Sequence, residues 1–312
     1  MRYGFGVDIG GTTVKLGFFD ESGTMLDKWE IPTVTENCGE AILPDVAESI
    51  KEYLVKKTIP ANAVLGIGLG VPGPVGSDGT VYGCHNLGWG TFSVQQALEK
   101  LTGLPVRVGN DANMAALGEA WKGSGCDNMV MVTLGTGVGG GIIINGRPVG
   151  GAHGAAGEIG HLVLERDEKE ACNCGKRGCT EQYCSATGIV RLAKRYLQTQ
   201  DTPSTLRSLQ TITCKDVFDA AKAQDMAALE IMEQVYSYTG QFLADICCVV
   251  DPEMIVIGGG VSKAGQLLLD GAGRYFQKYA FSACRNTRFA LASLGNDAGI
   301  YGAFKLALDA FG

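Results

Sequence analysis

Three cysteines and a histidine form the residue group with the most specific chemistry in this chain. His161 is followed by Cys172, Cys174 and Cys179, and glycines within the cysteine run let a loop turn tightly enough to aim separated thiolates at one ion. Three thiols and an imidazole can fill all four positions around a tetrahedral zinc, which is the pattern of a structural site without a catalytic water. We therefore predict a closed zinc site. The alternatives are chance cysteines in a loop, or a disulfide pair in an exported protein.

Glycine-rich turns that follow apolar strands form a second group. The turn at residues 8–13 reads Asp-Ile-Gly-Gly-Thr-Thr. Its backbone N–H groups, hydroxyls and carboxylate suit a triphosphate and its magnesium, although a turn needed only for tight packing would look the same. Two more clusters, at 135–137 and 258–260, are expected where a nucleotide is held from several sides. The Walker A pattern and the complete dinucleotide fingerprint do not occur, so the phosphate cradle is of another kind.

Asp111 is the candidate proton acceptor. Phosphoryl transfer to a hydroxyl needs positioning, charge neutralisation and one carboxylate that accepts the hydroxyl proton. Asp111 lies between Asn110 and Asn113 at the end of a predicted strand, where α/β folds place reactive groups. Its alternative role is a helix N-cap. Four further residues supply donors and acceptors suited to a sugar ring, although the first also fits an ordinary turn: Asn86, Glu158, His161 and Glu181.

The elements that must position these groups repeat along the chain. Residues 3–19 predict a strand, a glycine turn and a strand, and residues 129–146 repeat that plan. Such a repeat predicts a duplicated α/β fold. Helical patterns cover residues 42–54, 93–101, 112–120, 185–196, 213–223 and 226–249, then from 262 and from 297. Further strands are predicted at 64–70, 106–108, 254–257 and 288–293.

Composition narrows the class of protein. A chain of 312 residues exceeds the usual single-domain size, so two coupled domains are expected. The net charge of −7 and the lack of a lysine or arginine run argue against a nucleic-acid partner. The start of the chain lacks the pattern of a signal peptide, and glycines interrupt the apolar stretches before membrane-spanning length. The eleven cysteines are odd in number and several lie in apolar runs, which favours reduced thiols and a cytoplasmic location.

Taken together, these motifs resemble the ROK (repressor, open reading frame, kinase) family, and within it most of all the bacterial glucokinases. The resemblance extends from residue 4 to about residue 302. The pairing of Glu-x-Gly-His with Cys-x-Cys-Gly-x-x-Gly-Cys-x-Glu is its most specific part. The matching segments are Asp8-Ile9-Gly10-Gly11-Thr12 with Lys15, Val71-Pro72-Gly73, Asn86-Leu87-Gly88-Trp89, Asn110-Asp111-x-Asn113, 135–141, 158–161 and 172–181.

This resemblance implies an actin-like ATPase fold of the hexokinase type, a duplicated ribonuclease H-like fold with two domains around a central cleft. The first domain would cover residues 1–110. The second, larger domain would cover 111–296 and carry the zinc knuckle at 161–181, and the helix at 297–312 would pack back on the first domain. The implied reaction transfers the γ-phosphate of ATP to the 6-hydroxyl of glucose. Homodimers or homotetramers are implied as well, while the composition, as argued above, predicts no membrane and no nucleic acid as partner.

Roles for individual residues follow from the same resemblance. Asp111 would be the general base, Asp8 would assist magnesium, and His161 would both ligate zinc and touch the sugar. The implied sugar-binding residues are Asn86, Asn110, Asp111, Glu158, His161 and Glu181. The implied ATP-binding residues are Asp8, Gly10, Gly11, Thr12, Thr13, Lys15, Thr136, Gly137, Gly258 and Gly259. The implied zinc ligands are His161, Cys172, Cys174 and Cys179.

Two other functions remain open from the sequence. A sister kinase of the family could act on fructose, N-acetylmannosamine, N-acetylglucosamine or allose, because those enzymes share the same types of sugar-contacting residue. A sugar-responsive transcriptional regulator is the second alternative. We expect it less, since regulators of the family carry a winged-helix segment and only seven residues precede Asp8.

Overall fold

A computed structural model describes residues 2–312 as a mixed α/β protein. The strands are β1 (Tyr3–Ile9), β2 (Thr13–Asp20), β3 (Met25–Pro32), β4 (Val64–Val71), β5 (Thr80–Cys84), β6 (Trp89–Ser93), β7 (Val106–Asn110), β8 (Met129–Leu134), β9 (Val138–Ile144), β10 (Arg147–Pro148), β11 (Met254–Gly258) and β12 (Arg288–Leu291). The helices are α1 (Glu36–Gly39), α2 (Ile42–Lys56), α3 (Val94–Thr102), α4 (Asp111–Gly118), α5 (Glu181–Cys184), α6 (Ala186–Thr199), α7 (Cys214–Lys222), α8 (Met226–Val250), α9 (Gln266–Tyr279) and α10 (Ala298–Phe311).

Two sheets share one strand plan, and this confirms the predicted duplication. The first sheet has the order β3-β2-β1-β4-β7, with antiparallel pairing from β3 to β1 and parallel pairing from β1 to β7. The second has the order β10-β9-β8-β11-β12, in which β8, β11 and β12 are parallel. In each sheet the glycine-rich turn joins the first two strands in chain order. Both predicted phosphate turns therefore lie at the carboxyl end of a strand that pairs with parallel strands.

The described chain forms two compact units. The first contains the residues up to Asn128 together with Gly141–Gly157 and Ser293–Gly312. The second contains Met129–Gly140 and Glu158–Ala292. The limits at 1–110 and 111–296 stay a prediction of domain organisation.

Helix α10 packs on β1, β4 and α4 in the first unit at unusually short range. A Cβ atom added to Gly6 would lie 2.0 Å from the carbonyl oxygen of Ile300, and one added to Gly68 would lie 1.6 Å from that of Ala303. Only glycine lets the helix backbone approach the sheet so closely. Phe19 and Phe304 stack beside this contact with ring centroids 4.4 Å apart. The last helix of the chain is thus fitted into the first sheet by backbone contact.

Most of the predicted helices have the expected starting residues. Ser93 caps α3 by accepting a hydrogen bond from the amide of Gln96, and Thr213 and Asp216 form a full capping box at α7. The helix predicted from Ser262 is wrong, because residues 261–264 form a 3-10 turn and α9 begins only after Gly265, whose φ is +68°. Strands β3, β5 and β6 were not predicted. Among residues 2–312, no helix combines the length and apolar composition that crossing a bilayer requires.

We predict that Gly68→Ala lowers the free energy of unfolding by about 3 kcal/mol, because the new methyl group meets backbone atoms of α10 that have no room to move. Urea denaturation followed by circular dichroism measures this. Gly90→Ala is the matched control, since a Cβ atom at Gly90 would meet no atom within 4 Å. Equal stability of the two variants would contradict the close docking of α10.

Candidate active site

Asp8 lies near the end of β1, with its carboxylate between two glycines of the first unit. A Cβ atom at Gly299, in the first turn of α10, would lie 2.7 Å from the carboxyl carbon, and one at Gly70 would lie 3.5 Å from Oδ1. Burial raises the pKa of Asp8 to about 6, with the Lys15 ammonium opposing this and the Asp111 charge adding to it. Burial makes ionisation of this carboxyl group unfavourable. A cation placed beside it would stabilise the ionised form, so the position suits a cation-binding carboxylate.

The turn after Asp8 is closed by its own backbone. The amide of Gly10 donates to the carbonyl of Thr13 at 3.0 Å, and the hydroxyl of Thr33 donates to the carbonyl of Gly10 at 2.8 Å. Gly11 and Thr12 are exposed at the tip. Lys15 donates from Nζ to the carbonyl of Asn296 at 3.1 Å, in the segment that leads into α10. These hydrogen bonds therefore hold the backbone N–H groups and the hydroxyl group at the tip in fixed positions.

Asn110 and Asp111 lie where β7 gives way to α4. Asn110 is the N-cap, because its Oδ1 accepts from the amide of Asn113 at 3.1 Å, and its Nδ2 donates to the carbonyl of Gly73 at 3.0 Å. Asp111 is the first helical residue, so the alternative role of N-cap belongs to its neighbour. Its Oδ1 accepts from the amide of Ala112 at 2.8 Å. The carboxylate thus has a defined direction at the N-terminus of a helix.

Asn86 lies in a 3-10 turn, His85–Leu87, and is exposed. Gly88 closes that turn with φ of +72°, and a Cβ atom there would lie 2.9 Å from the Cα of Cys38. The turn geometry that the sequence offered as an alternative for Asn86 is therefore present. Its side chain is nonetheless in solvent and open to a ligand.

In the second unit, the turn between β8 and β9 is fixed by helix α6. The amide of Ala186 donates to the carbonyl of Gly135 at 2.8 Å, and the hydroxyl of Thr187 donates to the carbonyl of Thr136 at 2.7 Å. Thr136 itself is exposed. The glycine at 259 follows β11 with φ of +83°, and a Cβ atom there would lie 2.4 Å from the carbonyl oxygen of Leu134. Two of the predicted glycine turns are therefore neighbours within this unit.

The predicted zinc ligands converge. One ligand atom from each of His161, Cys172, Cys174 and Cys179 lies within 4.8 Å of all the others. The Sγ atoms of Cys174 and Cys179 are 3.7 Å apart, and Sγ of Cys172 is 3.9 Å from Nδ1 of His161. A zinc–sulfur bond of about 2.3 Å puts two thiolates of a tetrahedron about 3.8 Å apart. The donor set and its spacing fit a tetrahedral zinc.

The thiols of this cluster also explain why a metal suits it. Burial, together with hydrogen bonds between Cys179 and the neighbouring thiols, raises the pKa of Cys179 to about 12. Such thiols keep their protons at neutral pH unless a cation replaces them. Zinc binding would therefore exchange protons for metal and draw the loop together.

Glu181 connects the cysteine cluster with the β8–β9 turn. Its Oε2 accepts from the amide of Val138 at 3.1 Å, and its Oε1 lies 3.6 Å from Sγ of Cys172. A Cβ atom at Gly137 would lie 2.1 Å from Oε2, so glycine is needed beside the carboxylate. Glu158 is exposed and starts the short 3-10 turn that carries His161. The predicted residues of the second unit are thereby joined in one connected region.

Sequence reasoning missed two residues that hold these groups in place. Thr187 anchors the turn at Thr136, and Glu168 is a buried carboxylate in the loop before Cys172. For Thr187 the signal was its position as a small hydroxyl residue in the first turn of a helix. Glu168 had no local signal, because its side-chain partners come from later helices.

Comparison with known proteins extends these observations to the whole chain. The ROK family model matches residues 4–310. A glucokinase of Halalkalibacterium halodurans is 44% identical over 96% of this chain and 93% of its own length. A glucokinase of Thermotoga maritima is 35% identical over 98% of both chains. An N-acetylgalactosamine kinase of Shewanella is 31% identical over 96% of this chain and 94% of its own length.

The structural comparison agrees. A crystal structure of a ROK family glucokinase from Streptomyces griseus, in complex with glucose and AMPPNP, superposes with a TM-score of 0.75 and 33% identity. It covers 98% of this chain and 99% of the other. The fold is the actin-like ATPase fold, as the resemblance to the ROK family implied.

We predict that Asp8→Asn makes the protein more stable above about pH 6 by on the order of 3 °C in Tm. The pKa of Asp8 is about 6 in the folded protein and 3.8 as its ordinary value, so wild-type stability falls as pH rises through this window and is highest below it. The asparagine variant lacks this loss. Thermal unfolding from pH 4 to pH 8 measures it, with Asp127→Asn, an exposed aspartate, as control. A stability difference that does not change with pH would contradict the assignment.

We predict that Cys174→Ala loses bound metal, because a three-ligand remnant leaves the tetrahedron open and lowers zinc affinity. Metal analysis of the purified protein measures the zinc content per chain. Cys248→Ala, at an exposed thiol on α8, is the matched control and should keep zinc. A full equivalent of zinc in Cys174→Ala would refute the ligand assignment.

Proposed function

The chain belongs to the ROK family, and we propose on that basis that it is an ATP-dependent glucokinase, which transfers the γ-phosphoryl group of ATP to the 6-hydroxyl of glucose. The observation that carries this proposal is the 44% identity with a glucokinase over nearly the full length of both chains. The local geometry supports it. Such a reaction needs a proton acceptor, turns that bind phosphate and an ordered sugar-binding loop, and Asp111, the glycine turns and the cysteine cluster are candidates for these three parts.

Asp111 is proposed as the general base. Its position at the start of α4 gives the carboxylate a fixed direction. An ionised carboxylate can accept the proton of the 6-hydroxyl as that oxygen attacks the γ-phosphorus. Asn110 is held by Gly73 and Asn113, so it can position the sugar without adding a second charge.

The nucleotide is proposed to bind at the glycine turns. The exposed tip at Gly11 and Thr12 offers N–H and hydroxyl donors to phosphate oxygens, and Thr136 does the same in the second unit. Magnesium neutralises charge on the phosphates when bound, and Asp8 is the carboxylate proposed to assist it. The full proposed ATP-binding set is Asp8, Gly10, Gly11, Thr12, Thr13, Lys15, Thr136, Gly137, Gly258 and Gly259.

Zinc is proposed to have a structural role in sugar binding. With Nδ1 of His161 directed at the thiols, its other ring nitrogen remains for a sugar hydroxyl. Glu181 borders the same cluster, and Glu158 precedes the His161 turn. The full proposed sugar-binding set is Asn86, Asn110, Asp111, Glu158, His161 and Glu181. A cytoplasmic location is proposed because the thiolates of such a site must stay reduced.

A kinase for another hexose is the second candidate. It is favoured by the 31% identity with an N-acetylgalactosamine kinase, over nearly the same extent of chain. The greater similarity to glucokinases is the reason to place glucose first. Homodimers or homotetramers, and the absence of nucleic-acid and membrane partners, remain part of the proposal.

The proposal is tested by ADP release with ATP, magnesium and a panel of glucose, fructose, mannose, allose and the N-acetylated hexosamines. We expect kcat/KM to be highest for glucose. A preference for another sugar would keep the mechanism and reject the glucokinase assignment. Lack of turnover with every sugar would reject the kinase.

We predict that Asp111→Asn lowers kcat by about 10²–10⁴-fold, the usual contribution of general-base catalysis, and leaves glucose affinity nearly unchanged. The amide keeps the size of the side chain and loses its ability to take a proton. Steady-state kinetics and glucose titration measure the two effects, and Asp127→Asn serves as a control at an exposed aspartate. Near-normal turnover of Asp111→Asn would remove this residue from the role.

A further inference from the structure

The loop that leads from His161 to the cysteines lacks an apolar anchor. From Leu162 to Ala171, the single buried residue is Glu168, and its side chain is only 2% exposed. The apolar residues Leu162 and Val163 are exposed in this loop, at 42% and 45%. A segment of this kind gains little from the hydrophobic effect, so polar contacts must hold it. Residues 162–171 are called the carboxylate arm below.

Both oxygens of Glu168 are fully used. Oε2 accepts from the hydroxyl of Tyr183 at 2.5 Å and from Nη1 of Arg195 at 2.9 Å, and it forms an ion pair with Nη2 of Arg191 at 2.6 Å. Oε1 accepts from the backbone amides of the next two residues, Lys169 at 2.8 Å and Glu170 at 3.0 Å. One carboxylate thus fixes the backbone in the middle of the arm and ties it to helices α5 and α6, whereas the two ends of the arm pair with the cysteine loop through the bridges Val163–Cys179 and Ala171–Arg177.

The charge of Glu168 is compensated where it is buried. Burial by itself would raise the pKa of this carboxyl, but the bonds from Arg191, from the Glu170 amide and from Tyr183 outweigh it and hold the pKa well below its ordinary range. The group is therefore ionised at neutral pH. Two guanidinium groups facing one buried carboxylate make the contact strongly dependent on the charge of Glu168.

The contact network continues to the zinc ligands. Arg191 also pairs through Nε with Glu170 at 2.7 Å and donates from Nη1 to the carbonyl of Gln182 at 3.3 Å. Gln182 in turn donates to the carbonyl of Glu170 at 3.1 Å and accepts from the amide of Cys179 at 3.1 Å. The arm, the cysteine loop and the start of helix α6 are thus connected by direct hydrogen bonds.

Helix α6 joins this network to the β8–β9 turn. Its first residues hold the carbonyls of Gly135 and Thr136, and its next turns carry Arg191 and Arg195. A displacement of the arm would therefore act on the same helix that fixes the turn.

We propose that Glu168 is a positioning residue that, through Arg191, Arg195 and Tyr183, holds the carboxylate arm and with it the sugar-binding and zinc-binding residues of this loop. This inference rests on the proposed function for its effect on the sugar, and on the contact network alone for its effect on the loop. Glu168 touches no reacting atom in this assignment. It acts by fixing the loop that carries His161, Cys172 and Cys179.

A purely structural ion pair would behave differently. It would change the stability of the whole unit and leave the local motion of the arm and the sugar affinity unaltered. The test must therefore separate local opening of residues 162–171 from global unfolding.

The experiment compares Glu168→Gln with wild type by amide hydrogen exchange of the full chain. We expect exchange in peptides covering residues 162–171 to rise about ten-fold or more, with exchange in β11 and α8 unchanged. The matched control is Glu233→Gln, because Glu233 also accepts from an arginine, Arg274, and a tyrosine, Tyr275, but joins α8 to α9 away from the arm. An arm that exchanges at the wild-type rate in Glu168→Gln overturns the proposal.

Kinetics and zinc release provide the second readout. In Glu168→Gln, the KM for glucose and the rate of zinc transfer to a chelator should rise about ten-fold, within the range known for residues that orient metal ligands, while kcat and the KM for ATP stay within about two-fold. A fall in kcat with equal rises in both KM values would overturn the positioning role. A lower thermal stability with no other change would overturn it as well. If wild type phosphorylates none of the hexoses, the proposed function fails, and hydrogen exchange still decides the role of Glu168.

A second variant keeps the test informative if Glu168→Gln does not fold. Arg195→Gln removes one partner at a half-exposed position and leaves the ion pair with Arg191 in place. We expect a smaller increase in exchange of the arm in the same peptides. Unchanged exchange in this variant, measured with folded protein, would count against the network.

Discussion

Close approach of backbones is the constraint on which the first unit depends. Helix α10 lies on the sheet through Gly6 and Gly68, and on α4 through Gly118 and Gly302, where added Cβ atoms would lie 2.1 Å or less from carbonyl oxygens. A helix docked at this distance brings its first turn against the carboxylate of Asp8. The burial that raises the pKa of Asp8 is thus a product of helix packing. The same contact that completes the core prepares a buried carboxylate for a cation.

The second unit places its functional groups by a different means. Its cysteine loop and the arm before it have little apolar surface to bury, so ligand atoms and charged hydrogen bonds do the work that core packing does elsewhere. Four ligand atoms within 4.8 Å and one carboxylate with five donors define this region. Such contacts are directional, and they fix side chains in a way that apolar packing alone does not. These contacts explain how a loop with little helix or strand can hold its functional side chains in fixed positions.

The sequence was sufficient where the signal is local. The spacing of the cysteines, the glycine turns, the capping box at Thr213 and the repeated hairpin all follow from contacts between near neighbours, and the structure bears out these elements. It was insufficient where partners are distant. Glu168 meets Tyr183 and Arg195 across 15 and 27 residues, and the environment of Asp8 depends on a helix near residue 299. Strand β3 alternates half-buried and exposed residues at a sheet edge, a pattern too weak to be recognised alone.

The return of the chain to the first unit also determines the order in which the molecule can be completed. Residues from Ser293 onward belong to that unit, whereas the whole preceding stretch from Glu158 to Ala292 belongs to the other. During synthesis the ribosome must therefore produce the second unit before α10 can cover the glycine face of β1 and β4. Until α10 has been synthesised, this face of the first sheet has no helix to cover it, and transiently exposed sheet surface of this kind promotes aggregation of a folding chain.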